Sequence, residues 1–401
     1  MRTIEWEIKV SKLCNLRCTY CYEFDELDDK RRISLDGWRA ILESTQWYQR
    51  EIERRFPGEE IKTRYVWHGG EPLLLPLSYY REVLQLQREI LGAENVGTCY
   101  TNHVPTNLYT VPPKTLKFLK EERFQIAVSF DAIAGVRVLG SGVPTEERVL
   151  ENIKRLLADG WRVGCNVVLA AHTAPHLNSV YDSIRDTVRD SNGGLYLNII
   201  PLHGTPTDDG ATPFSIGADQ IVDALHNCFE HWLEDPGAIQ LTPVQDYYLN
   251  IVRKLFNSPR SYFDRRSYGE SSLVINTDGH VYLFREAYER DKSLGCLFEQ
   301  TFEEITNSQA YAESLDRQDA LAARCCGGCP YDGFCNREPL FNGPREEAGE
   351  RCLIGYPLHQ RIESTLAARG FTAEVVRRNL MSLPQAHFIT GQSRAGAATG
   401  H

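Results

Sequence analysis

No stretch of this sequence approaches the ~20 consecutive apolar residues that a membrane span requires, and the first ten residues, Met1 to Val10, lack the apolar core of a secretion signal. No lysine or arginine block stands out, and the formal charge is −10, so a nucleic-acid or anionic-lipid surface would oppose the net field. These absences predict a cytoplasmic protein with no nucleic-acid and no membrane partner. A hydrophobic share of 42% and a charged share of 24% exclude a fibrous or largely disordered chain. Without an export signal, reductants keep ordinary disulfides open, so the twelve cysteines point to metal or redox chemistry. Cys14, Cys18 and Cys21 lie within eight residues, and five more fall between Cys325 and Cys352. Cys99, Cys165, Cys228 and Cys296 are scattered singly. Clusters read as ligands and singletons as core.

At 401 residues the chain exceeds the usual ~100–200 of one domain, which predicts a large domain plus a smaller one. Up to about residue 205, short apolar runs alternate with amphipathic stretches, the pattern of βα units and a parallel sheet. Strands are expected at 5–10, 63–68, 96–101, 125–130, 162–169 and 194–201, with helices at 34–54, 77–91 and 149–157. Six such repeats suggest an α/β fold with an open partial (β/α)6 barrel, whose chemistry sits on loops after the carboxyl ends of the strands. The expected domains are a barrel at 1–210, a helical bridge at 211–259 (helices near 216–233 and 242–256), a small α+β domain at 260–355 with a hairpin about Thr277-Asp278-Gly279, and a C-terminal segment at 356–401. That last segment carries a helix near 357–369 and a Gly/Ala/Ser/Thr-rich end at 391–401 with little to bury, which is expected to be disordered.

Cys14-Asn15-Leu16-Arg17-Cys18-Thr19-Tyr20-Cys21 spaces three thiols at intervals of four and three, so one loop can wrap three irons of a cubane. Iron–sulfur clusters normally take four thiolates, so three closely spaced ones invite an outside ligand on the fourth iron. A bidentate amino acid fits that vacancy; a zinc site and unrelated core cysteines are the bland alternatives. With this spacing directly after the first strand, the chain resembles the radical S-adenosylmethionine (SAM) superfamily, whose C-x3-C-x-aromatic-C signature these residues match.

The resemblance implies a [4Fe–4S] cluster chelating the methionine end of SAM, and a 5′-deoxyadenosyl radical that takes hydrogen from a substrate. It carries further residues with it. His68-Gly69-Gly70-Glu71-Pro72 matches the family's GGEP turn, so Gly69, Gly70 and Glu71 would hold the methionine ammonium. Tyr20 would lie by the adenine. Asn102 (in Thr101-Asn102), Ser129 (in Val128-Ser129-Phe130-Asp131) and Leu197 would contact SAM, and Arg137 would pair its carboxylate. For each, a cap, a core position or a surface ion pair is the plain alternative.

Cys326-x2-Cys329-x5-Cys335, followed by Cys352, resembles the SPASM domain, the auxiliary-cluster module of peptide and sulfatase maturases. The full pattern holds two auxiliary clusters. Here residues 263–269 contain no cysteine, Phe284 stands where a hairpin cysteine is expected and Pro339 replaces another, and all three losses strike one cluster. Cys326, Cys329, Cys335 and Cys352 then serve a single auxiliary [4Fe–4S] cluster, with a structural zinc in the same thiolates as the alternative and Cys325 as a spare.

Relatives with this combination act on peptides, so the implied substrate is a ribosomal precursor peptide and the implied electron donor a flavodoxin or ferredoxin. Arg285 stands where formylglycine-forming enzymes carry an acidic base, which favours side-chain cross-linking (a cyclophane or similar) over sulfatase-type maturation. Epimerisation needs a hydrogen-donating cysteine, and the four single cysteines read better as core. A non-catalytic electron-transfer protein has no use for the glycine turn. With Cys14 so near Met1, a leader peptide would be gripped by the barrel edge, the C-terminal extension or a separate leader-binding protein. The general base, and catalytic residues generally, are not named by this reading.

Overall fold

Strand β1 (Arg2–Ser11) shows the period-two logic of the molecule: Ile4, Trp6, Ile8 and Val10 have no exposed surface, while Glu5 and Glu7 line a cavity on the other side. Both faces are covered, as a parallel strand requires. The computed structural model describes residues 2–189, 194–202, 214–236, 239–260, 270–283, 290–341, 351–372 and 374–375.

Strands β2 (Ile61–Gly69), β3 (Tyr100–Thr106), β4 (Gln125–Ser129), β5 (Arg162–Leu169), β6 (Gly194–Pro201) and β7 (Gln240–Thr242) follow β1 in spatial order, each parallel to the last. Between them run α1 (Leu35–Arg55), α2 (Leu77–Leu91), α3 (Pro113–Glu121), α4 (Glu146–Ala158), α5 (Leu177–Arg189) and α6 (Ala218–Trp232). Ser34 caps α1 by accepting from the Gly37 N–H at 3.1 Å. The α/β partial barrel expected from the repeats is therefore present, with β7 as a short seventh parallel strand.

The third strand begins four residues later than expected. The carbonyl of Asn95 receives the N–H groups of Thr98, Cys99 and Tyr100, and Gly97 adopts φ +84°, so residues 95–99 coil into a turn before pairing begins.

The hairpin of β8 (Ser272–Ile275) and β9 (His280–Leu283) turns at Gly279, φ +89°, and β8 pairs parallel with β1, Glu5 opposite Ser272. With β10 (Gly295–Cys296) on β9, it extends the barrel's own sheet to ten strands. Phe302, at the start of α8 (Phe302–Thr306), anchors it by meeting Trp6 edge-on at 4.9 Å and Tyr48 at 5.0 Å. At the other end of the sheet, α11 (Gly355–Ala368) packs on α6 and α7 (Val244–Leu255), with the Lys254–Glu363 ion pair at 2.8 Å. The C-terminal third thus touches both ends of the open barrel. Between its two anchor points lie α9 (Gln309–Cys326) and α10 (Glu338–Phe341). Phe284, Arg285, residues 263–269 and the 391–401 tail lie outside the described residues, as does the side chain of Pro339. No described helix is long and apolar enough to cross a membrane.

Candidate functional site

The loop leaving β1 is pinned on both flanks. The Cys14 N–H donates to the Leu27 carbonyl at 2.9 Å, while the Arg17 and Thr19 N–H groups donate to Val138 and Val136 at 2.7 and 3.0 Å. This spreads Cys14, Cys18 and Cys21 along the wall of one cavity of about 580 Å³. The Leu16 N–H points at the Cys14 sulfur at 3.4 Å, and Arg137 Nη1 lies 3.7 Å from the Cys18 sulfur. Burial, the largest influence, pushes the Cys14 thiol up to about 12 and Cys21 to about 11, and raises Cys18 as well. Bare, these are neutral thiols; a bound cationic centre is what converts such groups to thiolates. Among the described residues, no group of three or more His, Cys, Asp or Glu side chains gathers tightly enough for a single metal ion. A cubane takes its three thiolates on separate irons, as a loop with thiols spaced along a cavity wall can supply. The three thiols fit a cluster.

The glycine turn supports that loop from below. A Cβ on Gly70 would lie 2.3 Å from the carbonyl oxygens of both Lys12 and Leu13, and one on Gly69, φ +116°, would lie 2.0 Å from that of Ser11. Gly70 N–H and Glu71 N–H donate to Ser11 and Leu13 at 2.8 Å each, so the turn and the cysteine loop are stitched backbone to backbone. Glu71 itself does not line the cavity. Its buried carboxylate accepts from Leu73 N–H (2.9 Å), Thr106 Oγ1 (2.8 Å) and Asn107 N–H (2.6 Å), which ties the end of β2 to the end of β3. Burial holds this acid up at about 7 in spite of those bonds.

Asn107 is the residue that sequence reasoning missed. Its amide donates to Asn15 Oδ1 at 2.9 Å and lies 3.8 Å from the Cys14 sulfur, on the cavity wall. The signal was a second Thr-Asn pair, Thr106-Asn107, five residues after Thr101-Asn102.

The same cavity is also lined by Asp246, Tyr247, Asn336, Glu338 and Ile354. Nearby, Cys326 ends α9, Cys329 and Cys335 occupy the following turns, and Cys352 precedes α11. The charge state of Cys326 is sensitive to Cys352 and Cys329, and that of Cys335 to Cys352 and Cys326, so the four thiols share one neighbourhood. Backbone N–H groups of Arg337 and Gly355 point at the sulfurs of Cys335 and Cys352, each at 3.2 Å, the kind of contact that tunes iron–sulfur clusters. Cys325, beside them on α9, is buried.

Residues 8–184 match the model of the radical SAM superfamily, and residues 267–330 match that of the SPASM iron–sulfur cluster-binding domain. This is a radical SAM enzyme with a SPASM domain. A cysteine-type anaerobic sulfatase-maturating enzyme of Clostridium novyi (strain NT) is 25% identical over 363 residues, 86% of this chain and 92% of that one. A serine-type enzyme of Klebsiella aerogenes is 25% identical over 349 residues, 80% of this chain and 78% of that one. The solved structure of native anSMEcpe with bound AdoMet and Cp18Cys peptide superposes with a TM-score of 0.66 at 19% identity, covering 97% of this chain and 100% of that chain, which shows the fold.

The cofactors of the radical SAM enzyme are [4Fe–4S] clusters and SAM. Of the remaining residues expected at SAM, Tyr20, Ser129, Arg137, Gly69 and Gly70 all line the cavity. Tyr20 donates to the Asp131 carboxylate, stacks on His172 at 5.8 Å and lies under Arg137 at 5.5 Å. Arg137 Nε donates to the same Asp131 at 2.9 Å, so the guanidinium already has an internal carboxylate partner. Asn102 and Leu197 are not brought to the cavity. The later start of β3 puts Asn102 mid-strand on the helix-facing side, with its oxygen accepting from Trp67 Nε1 (2.8 Å) and Gln87 (3.0 Å). Leu197 faces the core on β6 with no exposure, while its neighbours Tyr196 and Asn198 line the cavity.

Proposed function

We propose that this enzyme matures a polypeptide by oxidising the Cβ of a cysteine or serine residue to an aldehyde, as in sulfatase maturation. The observation that carries this is one cavity of about 580 Å³ lined both by the N-terminal cysteine loop and by Asp246 and Glu338, a size usual for small-molecule sites. Relatives named as cysteine-type and serine-type sulfatase-maturating enzymes, aligned over most of both chains, support the same reaction.

In this reading Cys14, Cys18 and Cys21 hold the SAM-binding cluster, and Cys326, Cys329, Cys335 and Cys352 hold one auxiliary cluster. When bound, the first cluster and SAM supply a 5′-deoxyadenosyl radical that accepts a hydrogen atom. The chain's own part is positional. Gly69, Gly70 and Asn107 fix the cysteine loop, Glu71 locks two strand ends beside it, and the Tyr20–Asp131–Arg137 network ties the loop to the segment after β4. A flavodoxin or ferredoxin supplies the electron.

Cross-linking remains the second reading because Arg285 occupies the place of the acid that formylglycine-forming relatives carry. One experiment separates them. Anaerobically reconstituted enzyme, SAM and reductant are incubated with cysteine and serine peptides, and the products are captured with a hydrazide and weighed. An aldehyde is expected; loss of two hydrogens without hydrazide capture would replace this reading with cross-linking, and an unaltered peptide would reject both.

A further inference from the structure

Five described carboxylates line the cavity, and three of them, Glu5, Glu23 and Glu338, accept from side-chain donors. Glu5 accepts from Arg64 at 3.0 Å, Glu7 faces His68 at 3.5 Å, Glu23 pairs with Lys9, and Glu338 accepts from Asn336 at 3.0 Å. Asp246, in the first turn of α7, receives no hydrogen bond from a described residue, and unlike Glu7 it has no imidazole beside it but shares its wall with Glu338. Arg260, whose positive charge acts on Asp246, gives its guanidinium to Asn250 (3.2 Å) and to the Phe334 carbonyl (3.1 Å).

We propose that Asp246 is the general base of the reaction, taking the proton from the thiol or hydroxyl of the substrate residue that loses its Cβ hydrogen. This rests on the aldehyde-forming reading above. The balance is complete: the Cβ gives a hydrogen atom to the 5′-deoxyadenosyl acceptor, the S–H or O–H proton goes to the Asp246 carboxylate, and one electron leaves to an acceptor of the iron–sulfur class. A carbon–sulfur or carbon–oxygen double bond forms, and water then converts the thioaldehyde to aldehyde and hydrogen sulfide.

The surroundings suit a base. Burial, then the like charge of Glu338 from α10, raise Asp246 to about 7, while Arg260 from the loop after α7 opposes them. Tyr247, beside it on α7, is pushed well above 10 and stays neutral. A base is most effective when its affinity for the proton matches the working pH. His103 on the wall serves less well, because burial lowers it to about 3.

The test uses reconstituted holoenzyme with cysteine and serine peptides. In Asp246→Asn, aldehyde formation is expected to fall about 10²–10⁴-fold, while deuterium from the peptide Cβ still reaches 5′-deoxyadenosine and peptide affinity stays within threefold. In the unaltered enzyme the aldehyde rate should rise with pH through about 7 as Asp246 ionises, and Asp246→Glu should restore part of it. A second readout needs no turnover: carbodiimide labelling followed by mass spectrometry should modify Asp246, and bound peptide should protect it. Asp246→Asn that makes aldehyde at the normal rate, an Asp246 left unprotected in the peptide complex, or a variant that loses clusters and peptide binding together would each overturn the assignment. If the unaltered enzyme binds or oxidises no such peptide, the aldehyde reading fails and the base assignment falls with it; a productive Asp246→Asn removes the assignment alone.

Discussion

Gly70→Ala isolates the contact on which the cysteine loop depends. The added Cβ would sit 2.3 Å from two backbone carbonyl oxygens, those of Lys12 and Leu13, and Cys14 is the next residue along. Ordinary carbon contacts need about 3.5 Å, so the turn and the loop must part by roughly 1 Å. Neither partner is a side chain that can swing aside. Overpacking of this kind costs about 1–3 kcal/mol, tolerable for a chain with this much core, so the variant is expected to fold. A ~1 Å displacement of the loop is expected to lower 5′-deoxyadenosine release about 10²-fold. The assays are thermal unfolding by circular dichroism, iron and sulfide content after anaerobic reconstitution, and 5′-deoxyadenosine release by chromatography. Gly58→Ala is the control. Gly58 has φ +84° but nothing within 4 Å of a Cβ, so it should show only backbone strain of about 1–2 kcal/mol and full activity. A Gly70→Ala protein with normal iron and normal 5′-deoxyadenosine release would refute the reasoning.

Asn102→Ala should cost about 1–3 kcal/mol, because it strips partners from buried Trp67 and Gln87, yet leave the KM for SAM unchanged. A raised KM with normal stability would return Asn102 to the cofactor site. Two clusters predict about eight irons per chain, falling to about four both in Cys14/Cys18/Cys21→Ala and in Cys326/Cys335/Cys352→Ala. Cys325→Ala should keep all of them, and iron loss there would shift the ligand register. His359, in α11, donates from Nδ1 to the Gly355 carbonyl and accepts at Nε2 from Asn250, and burial lowers it from 6.5 to about 4. The folded chain therefore binds this proton less readily than the unfolded one. Its contribution is full above pH 6.5 and is lost as pH falls toward 4, by about 1.4 kcal/mol per pH unit. Denaturation midpoints of His359→Gln should show a shallower slope over that range, and parallel curves for the two proteins would refute the claim.

The chemistry was legible wherever it depends on residues close in sequence. Cys14, Cys18 and Cys21 lie within eight residues, and the Gly69-Gly70 turn is forced to be glycine by backbone oxygens that side chains cannot move. Asn102 was misjudged because periodicity locates a strand but not its first residue. A shift of four in the start of β3 carried the strand end past Thr101-Asn102 to Thr106-Asn107. Arg137 lies on the cavity wall and Glu71 behind it, and their partners are Asp131, Thr106 and Asn107, which spacing alone does not disclose.

By itself, then, the sequence determined the βα alternation, the family and the three-thiol loop, because local spacing and period carry that information. Only the tertiary structure decided that the hairpin joins the barrel sheet at β1, and that Asp246 shares a cavity with Cys14, more than two hundred residues away. Those facts arise from strand pairing and helix packing across long separations. A one-residue change of register turns a side chain from cavity to core, so they exist only once the whole chain has folded.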